Sequence, residues 1–335
     1  MNDLTRITRI SAIALAAALS LGTAAAAEPI RIGVAEALSG GAAQYGISIR
    51  NGFQMAADEI NAAGGVNGSK IELVIEDEQG KKDEAINAFK KLIFQDKALM
   101  LFGPTLSNSA AAADPIAQAA HVVVFGTSNT ADGITTIGDH VFRNSVTEAD
   151  VLPVTIGVAA KVAKIKATNP DAVVLSALIA EGAPIMVQAR QLGLNVPFIG
   201  GNGMNSVKVF DLAKGASDGL WVGSPWSIEN RTPENNSFII AYTKKYSAPP
   251  DQFAAQAYDA MHIATAAMKK IKLSGDLAKD RSALQAALPA VKWTGATGSF
   301  AFRRVNDKSG KPAGYDADQQ AIVSTTRGKN YEIEK

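Results

Sequence analysis

Two rhythms of apolar positions alternate along this chain. Ile49, Phe53, Ala56, Ile60 and Ala63 recur at helical spacing, which marks one apolar face of a helix stopped by Gly64 and Gly65. Ala85, Phe89, Leu92 and Ile93 repeat that signal. Between and after them lie short runs rich in β-branched residues. These predict strands at Pro29–Ala35, Lys70–Glu76, Ala98–Gly103, His121–Gly126, Asp171–Ala177, Val196–Gly200 and Gly219–Gly223. Further helices are predicted at Ala110–Ala120, Ala149–Ala167, Gly182–Leu194, Pro233–Tyr246, Gln252–Ile271 and Ser282–Leu288. Strand and helix in regular alternation predict an α/β fold of doubly wound parallel sheets. Such sheets bind ligands at the carboxyl ends of their strands. The tail departs from the rhythm: Ala296–Arg303 and Gln319–Ser324 read as strands around a turn at Asp307–Gly310.

The first residues follow a different pattern. Arg6 and Arg9 precede an apolar run from Ile10 to Leu21, and Ala24 to Ala27 supply small residues. That is the layout of a secretory signal peptide, and the run is shorter than the roughly 20 residues of a spanning helix. Cleavage is expected after Ala27, which makes Glu28–Lys335 an exported, periplasmic protein. The chain has no cysteine, so disulfides, thiolate metal sites, a cysteine nucleophile and a lipidated cysteine anchor are excluded. Formal net charge is +1, and Arg6 and Arg9 against Asp3 account for it. The mature chain is therefore near neutral, which argues against nucleic acid or an anionic membrane as partner. Hydrophobic residues at 47% fit a globular protein with length for two modest domains.

Signals for catalysis are weak. Gly215-Ala216-Ser217-Asp218-Gly219 matches the G-x-S-x-G string, but it follows a predicted helix and precedes a strand, the reverse of a nucleophile elbow. His121, His140 and His262 have no ligand-type spacing. Glycine-rich phosphate loops of either common form are absent. Neither an enzyme, a metal site nor a cofactor is expected.

Signals for binding are better. Ser39-Gly40-Gly41, Gly103-Pro104-Thr105-Leu106-Ser107 and Thr127-Ser128-Asn129-Thr130 each follow a predicted strand. The second leads into a helix whose N-terminus would attract a carboxylate. Helix capping alone explains the same serines and threonines, so both readings stand at this level.

At these residues the chain closely resembles the leucine/isoleucine/valine-binding proteins, receptors of ABC importers. The likeness is carried by IRIGVAEALSGGAAQYGISIRNGFQMAADEINAAGGVNG, LFGPTLSNSAAAADPIAQ and VFGTSNTA, and is extended by PFIGGNGMNS and AAQAYDAMHIATAAM. It implies the type I periplasmic binding protein fold: two doubly wound α/β lobes joined by a hinge, with ligand between them. Lobe 1 would be residues 28–144 and 228–294, lobe 2 residues 145–227, with the tail 295–335 returning to the hinge and lobe 2. Residue by residue, the resemblance assigns the ligand carboxylate to Ser107 and contacts with both ends of an amino acid to Thr130. It assigns an ammonium-accepting backbone carbonyl to Ser128 and an aromatic pocket wall to Tyr45. The position of an acidic ammonium partner from the second lobe is held here by Asn202, which brings no charge. Charge-assisted hydrogen bonds are roughly twice as strong as neutral ones, so a carboxylate lacking an amino group becomes a candidate ligand.

The chain also departs from the family after residue 158, where two helices run together. A strand–helix–strand unit is expected to be missing there, on the order of 50 residues given that such units take 30 or more. The second lobe would be shortened, losing part of its sheet and an aromatic wall. The function implied is a monomeric periplasmic solute-binding protein that delivers a branched-chain amino acid or related small carboxylate to an inner-membrane permease. A ligand-sensing component of a signalling system, or a degenerate member that binds poorly, are the alternatives.

Overall fold

The computed structural model describes residues 28–162 and 171–334. The expected leader with its cleavage point, and the end of the helix expected through Ala167, lie outside those residues.

The chain begins with β1 (Ile30–Glu36), α1 (Ala43–Ala62), β2 (Ile71–Asp77), α2 (Lys82–Lys90), β3 (Met100–Phe102), α3 (Ser107–Ala119), β4 (Val124–Gly126) and β5 (Val141–Arg143). It continues with α4 (Glu148–Val162), β6 (Val173–Leu175), α5 (Ile179–Gln191), β7 (Phe198–Gly200), α6 (Lys208–Ala213) and β8 (Leu220–Ser224). Three helices follow, α7 (Pro233–Tyr246), α8 (Gln252–Met268) and α9 (Leu277–Ala287). The strands β9 (Lys292–Gly295), β10 (Gly298–Asn306), β11 (Pro312–Asp318), β12 (Ile322–Arg327) and β13 (Asn330–Ile333) complete the described chain.

These strands form two sheets. One runs β2-β1-β3-β4-β5-β11-β10-β9, the other β13-β12-β8-β7-β6. Pairing is parallel from β2 through β5 and from β6 through β8, as alternating strands and helices require. The chain passes between the sheets after β5, after β8 and between β11 and β12. The tail thus divides. β12 and β13 join the second sheet beside β8, whereas β10 and β11 extend the first. The reason is their register: β10 pairs antiparallel with β11, and β11 pairs with β5 at Tyr315 and Phe142.

The first lobe has a deep core. Phe102 on β3 packs on Phe53 of α1 and Phe125 of β4 with ring centroids 4.3 and 5.7 Å apart, and all three are fully buried. Helix α8 lies along α1, with Ala254, Ala257 and Met261 on its buried face. The second lobe is thinner. Its sheet ends at β6, where Val174 is half exposed, and Val154 and Ile156 of α4 are also exposed.

Candidate functional site

Loops at the carboxyl ends of β3, β4, β6 and β7 meet in one cleft of about 360 Å3. Tyr45, Ser107, Ser128, Thr130 and Asn202 all line it. Five residues far apart in sequence are thereby brought together, from both lobes.

The first-lobe wall is rigid for identifiable reasons. Gly103 stands at φ +99° with its Cα so close to β1 that a Cβ would fall 2.0 Å from the Ala35 carbonyl, which only glycine allows. Thr105 is buried; its hydroxyl accepts from the Ala37 N–H (2.9 Å) and donates to Glu36 Oε2 (2.5 Å). Its carbonyl accepts the Ser128 hydroxyl at 2.6 Å. The neighbouring loop is held from beneath. Arg143, buried and paired with Asp316 at 2.7 Å, donates to the carbonyls of Asn129 and Ala131 at 3.1 and 2.8 Å. Sequence reading did not pick out Arg143, because only the pairing of β5 with β11 brings Asp316 beside it.

Helix α3 begins at Ser107, three residues earlier than expected, so this serine stands in the first turn. Its N-cap, Leu106, supplies no side-chain hydrogen bond. The first-turn N–H groups have no intrahelical partner, and Leu106, Ser107 and Asn108 all line the cleft. Ser107 Oγ accepts from the N–H groups of Thr130 (3.2 Å) and Ala131 (3.3 Å). With its oxygen engaged by donors, the serine proton is directed to an acceptor. A carboxylate there meets a hydroxyl donor and the positive end of a helix together. The Ser128 hydroxyl is engaged by Thr105, while no hydrogen-bond donor reaches the Ser128 carbonyl among the described residues.

Across the cleft, the second lobe presents Ser176, Ala177, Leu178, Asn202 and Gly203. The N-cap of α5, Leu178, is likewise without a side-chain cap, but the first helical N–H, that of Ile179, donates to the Tyr45 hydroxyl at 2.9 Å. Tyr45 in turn donates to the Gly203 carbonyl at 2.8 Å. The tyrosine is therefore a bridge between lobes as well as a wall. Burial pushes its hydroxyl pKa up to about 12, so it stays protonated and able to donate. Phe253, unnoticed in the sequence, lines the cleft edge-on to Tyr45 at 4.8 Å. Both aromatics come from helices of the first lobe; among the described residues the second lobe adds none to the cleft.

Asn202 is buried, and its amide is engaged. Its Oδ1 accepts from Gln252 Nε2 at 3.2 Å and its Nδ2 donates to the Val146 carbonyl at 3.4 Å. This amide ties the second lobe to α8 and to the segment after β5. The cleft's acid lies instead at Glu148, the first residue of α4. Its N–H donates to the Thr130 carbonyl at 3.0 Å, and its Oε2 is buried without a hydrogen-bond partner among the described residues. Burial raises the Glu148 pKa, an effect opposed by the Asn202 N–H and the Thr130 hydroxyl. In the sequence it reads as an ordinary acid favoured in a first helical turn.

Other candidate residues stand apart. The Ser39 loop turns to Asp77, whose Oδ2 accepts the Ser39 hydroxyl at 2.6 Å. Ser217 of the G-x-S-x-G string is fully buried before β8. His121 and His140, distant in sequence, lie edge to face at 5.3 Å, and His262 stacks on Trp293. No cluster of three or more potential metal ligands occurs among the described residues.

A family model described as periplasmic binding protein matches residues 29–161 and 143–315. The leucine-, isoleucine-, valine-, threonine- and alanine-binding protein of Pseudomonas aeruginosa is 28% identical over 354 aligned positions, covering 90% of this chain and 93% of that protein. Among solved structures, the branched-chain amino acid transporter substrate-binding protein LivJ of Streptococcus pneumoniae, in complex with isoleucine, superposes with a TM-score of 0.79 at 25% identity. That match covers 92% of this chain and 99% of that one. An ABC transporter solute-binding protein of Rhodopseudomonas palustris, in complex with 3,4-dihydroxybenzoic acid, shares the fold at 22% identity with a TM-score of 0.76, covering 92% of this chain and 96% of that one. The two-sheet architecture, the interlobe cleft and the matched residues agree: this chain belongs to the periplasmic binding protein family.

Proposed function

We propose that this chain is the periplasmic solute-binding receptor of an ABC importer, holding a branched-chain amino acid or related small carboxylate between its lobes for delivery to a membrane permease. The observation that carries this reading is the uncapped N-terminus of α3 opening into the cleft beside Ser107. It offers a carboxylate several donors without a fixed cation. Thr130 and the Ser128 carbonyl lie on the same wall, and Tyr45 and Phe253 give the cleft an apolar side. The Pseudomonas and Streptococcus relatives, named for branched-chain amino acids, support the ligand class. Ligand touching both lobes stabilises the closed form, which is how binding becomes a signal to the permease.

The second lobe is read as shortened. The family match breaks into two stretches that overlap within residues 143–161, in the region of α4. The alignment with the Pseudomonas relative spans 354 positions although 90% of this 335-residue chain takes part, so that relative carries residues this chain lacks. The exposed Val174 on edge strand β6 is what removal of neighbouring elements would leave.

A thermal-shift screen of residues 28–335 against amino acids and small carboxylates tests the function. A true ligand at a hundredfold excess over Kd adds about 2.7 kcal/mol of stability and raises Tm. A cooperative melt that no amino acid or carboxylate shifts would overturn the proposal.

A further inference from the structure

The turn after β7 is held by the opposite lobe at three of its residues. Asn202–Met204 form a short 3-10 turn, and the Met204 carbonyl accepts the Tyr331 hydroxyl of β13 at 2.7 Å, which anchors the turn in its own sheet. From the first lobe, Tyr45 reaches the Gly203 carbonyl, and Gln252, the first residue of α8, reaches both flanks. Gln252 Nε2 donates to Asn202 Oδ1 at 3.2 Å, and Gln252 Oε1 accepts from Asn205 Nδ2 at 2.6 Å.

The direction of these amides is fixed at both ends. Asn202 Nδ2 donates to the Val146 carbonyl and Asn205 Nδ2 to the Trp226 carbonyl, each at 3.4 Å. Main-chain carbonyls only accept, so each asparagine must turn its NH2 group toward them. Val146 and Trp226 lie on the segments that cross between the sheets after β5 and after β8. One strut, Asn205–Gln252–Asn202, therefore joins the turn, the first lobe and two crossings. An acid at position 202 could accept from Gln252 but not donate to Val146, whereas asparagine does both. Gln252 and Asn202 are buried, and Gln252 is not among the residues lining the cleft.

The base of the strut is firm. Asp251, the N-cap of α8, accepts from the Ala254 N–H at 3.0 Å and from the Ser48 hydroxyl of α1 at 2.5 Å. A Cβ on Gly52 would fall 2.3 Å from the Ala254 carbonyl, so α1 and α8 meet backbone to backbone. Tyr45 and Gln252 thus stand on one body. One turn along α8, the Gln256 carbonyl accepts from Asn144 Nδ2 at 2.8 Å and fixes the start of the first crossing.

We infer that Gln252 is a positioning residue for ligand capture: through the Asn202 and Asn205 amides it holds the β7–α6 turn against the first lobe, and so keeps part of the ligand-free population in the bridged arrangement. Its consequence for affinity rests on the proposed receptor function; its effect on the lobes does not. Buried hydrogen bonds that form without the ligand lower the cost of closing, and apparent affinity rises with the fraction of competent form. The Asn202 side chain then serves the lobes instead of the ligand contact that its position implies by resemblance.

Two measurements on the mature chain test this. The absence of native cysteine allows one spin label in each lobe, at Asp83→Cys on α2 and Gln188→Cys on α5, both exposed. Pulsed dipolar distances without ligand should show a bridged population, which Gln252→Met, of similar length and without hydrogen bonds, should deplete. Calorimetric titration of the unlabelled proteins with leucine, isoleucine and valine should show Gln252→Met binding about five- to thirtyfold more weakly, the worth of two net hydrogen bonds. Asn205→Ala, at a partly exposed position that loses one of the two, should act in the same direction by about two- to tenfold, and keeps the test open if Gln252→Met folds poorly. A wild type with no bridged population without ligand would overturn the inference. So would variants whose Tm falls while lobe distances and affinity stay unchanged, the mark of a purely structural amide. Depletion of the bridged population in a chain that binds none of the probes would leave the strut standing and count against the proposed function alone.

Discussion

Each lobe brings the N-terminus of a helix to the cleft without a side-chain cap, and the two ends are used differently. In the first lobe the end of α3 opens beside Ser107, while in the second the first N–H of α5 is bonded to the Tyr45 hydroxyl. One helix end is left to attract an anion and the other latches the lobes. The sheets beneath them differ in the same sense. Eight strands and a core of stacked phenylalanines support the first wall; five strands, with an exposed edge at β6, support the second. On the proposed function, affinity for a carboxylate is built on the lobe with the larger sheet, and closure on the lighter one.

The comparison can be broken most severely at the first-lobe core. Phe102 is fully buried two residues before the Pro104–Ser107 turn, and Phe102→Ala should cost about 3–5 kcal/mol in denaturant unfolding. A loss below 1 kcal/mol would mean that the binding loop does not stand on this core. Next comes the latch. Tyr45→Phe leaves the Ile179 N–H and the Gly203 carbonyl without their shared partner, and should weaken ligand binding about fivefold, the worth of roughly 1 kcal/mol. The effect should sit mainly in a faster off-rate by stopped-flow fluorescence. An unchanged off-rate would remove Tyr45 from closure.

A third test probes the support of the carboxylate loop. Glu36 is buried under Thr105; burial raises its pKa well above the usual carboxylate range, and the nearby Glu78 charge adds to the effect. A carboxyl raised in the folded state destabilises the fold increasingly as pH climbs from the ordinary carboxylate range through its folded value, and not below it. Glu36→Gln keeps an acceptor for Thr105. It should raise Tm at pH 8 by a few degrees, about 1 kcal/mol, with the gain shrinking toward pH 4. A constant gain at all pH values would show that ionisation of Glu36 is not the cause. The smallest effect is expected on the second lobe. Val174→Thr on the β6 edge should change stability by less than about 0.5 kcal/mol in denaturant unfolding. A large loss of stability would show that Val174 is a core residue of that sheet.

The alternation of strands and helices, and with it the class of fold, was legible because both rhythms are strong in β1 through β4 and in α8. The helix Pro233–Tyr246 is bounded locally: the Thr232 hydroxyl accepts from the Asn235 N–H, and Pro233 stands at the first helical position. Strands β5, β9, β11 and β13 escaped notice: β5 is placed by β11, distant in sequence, while β9 and β13 are four-residue hairpin partners of β10 and β12, too short for a period to show. The same limit applies to the site. Tyr45, Ser107, Ser128, Thr130 and Asn202 could be named because they sit in segments with a family likeness, and all five line the cleft. Phe253 and Glu148 could not, because each resembles an ordinary residue of a first helical turn until the lobes are assembled. Nor could the engagement of the Asn202 amide, which depends on Gln252, fifty residues away.

The most direct test of the account is calorimetric titration of the mature chain and its Ser107→Ala variant with leucine, isoleucine and valine. The wild type should bind at least one of them with one ligand per chain, and the variant about ten- to hundredfold more weakly with an unchanged fold by circular dichroism. Equal affinity in the two proteins would contradict the claim that the α3 terminus and Ser107 hold the ligand carboxylate.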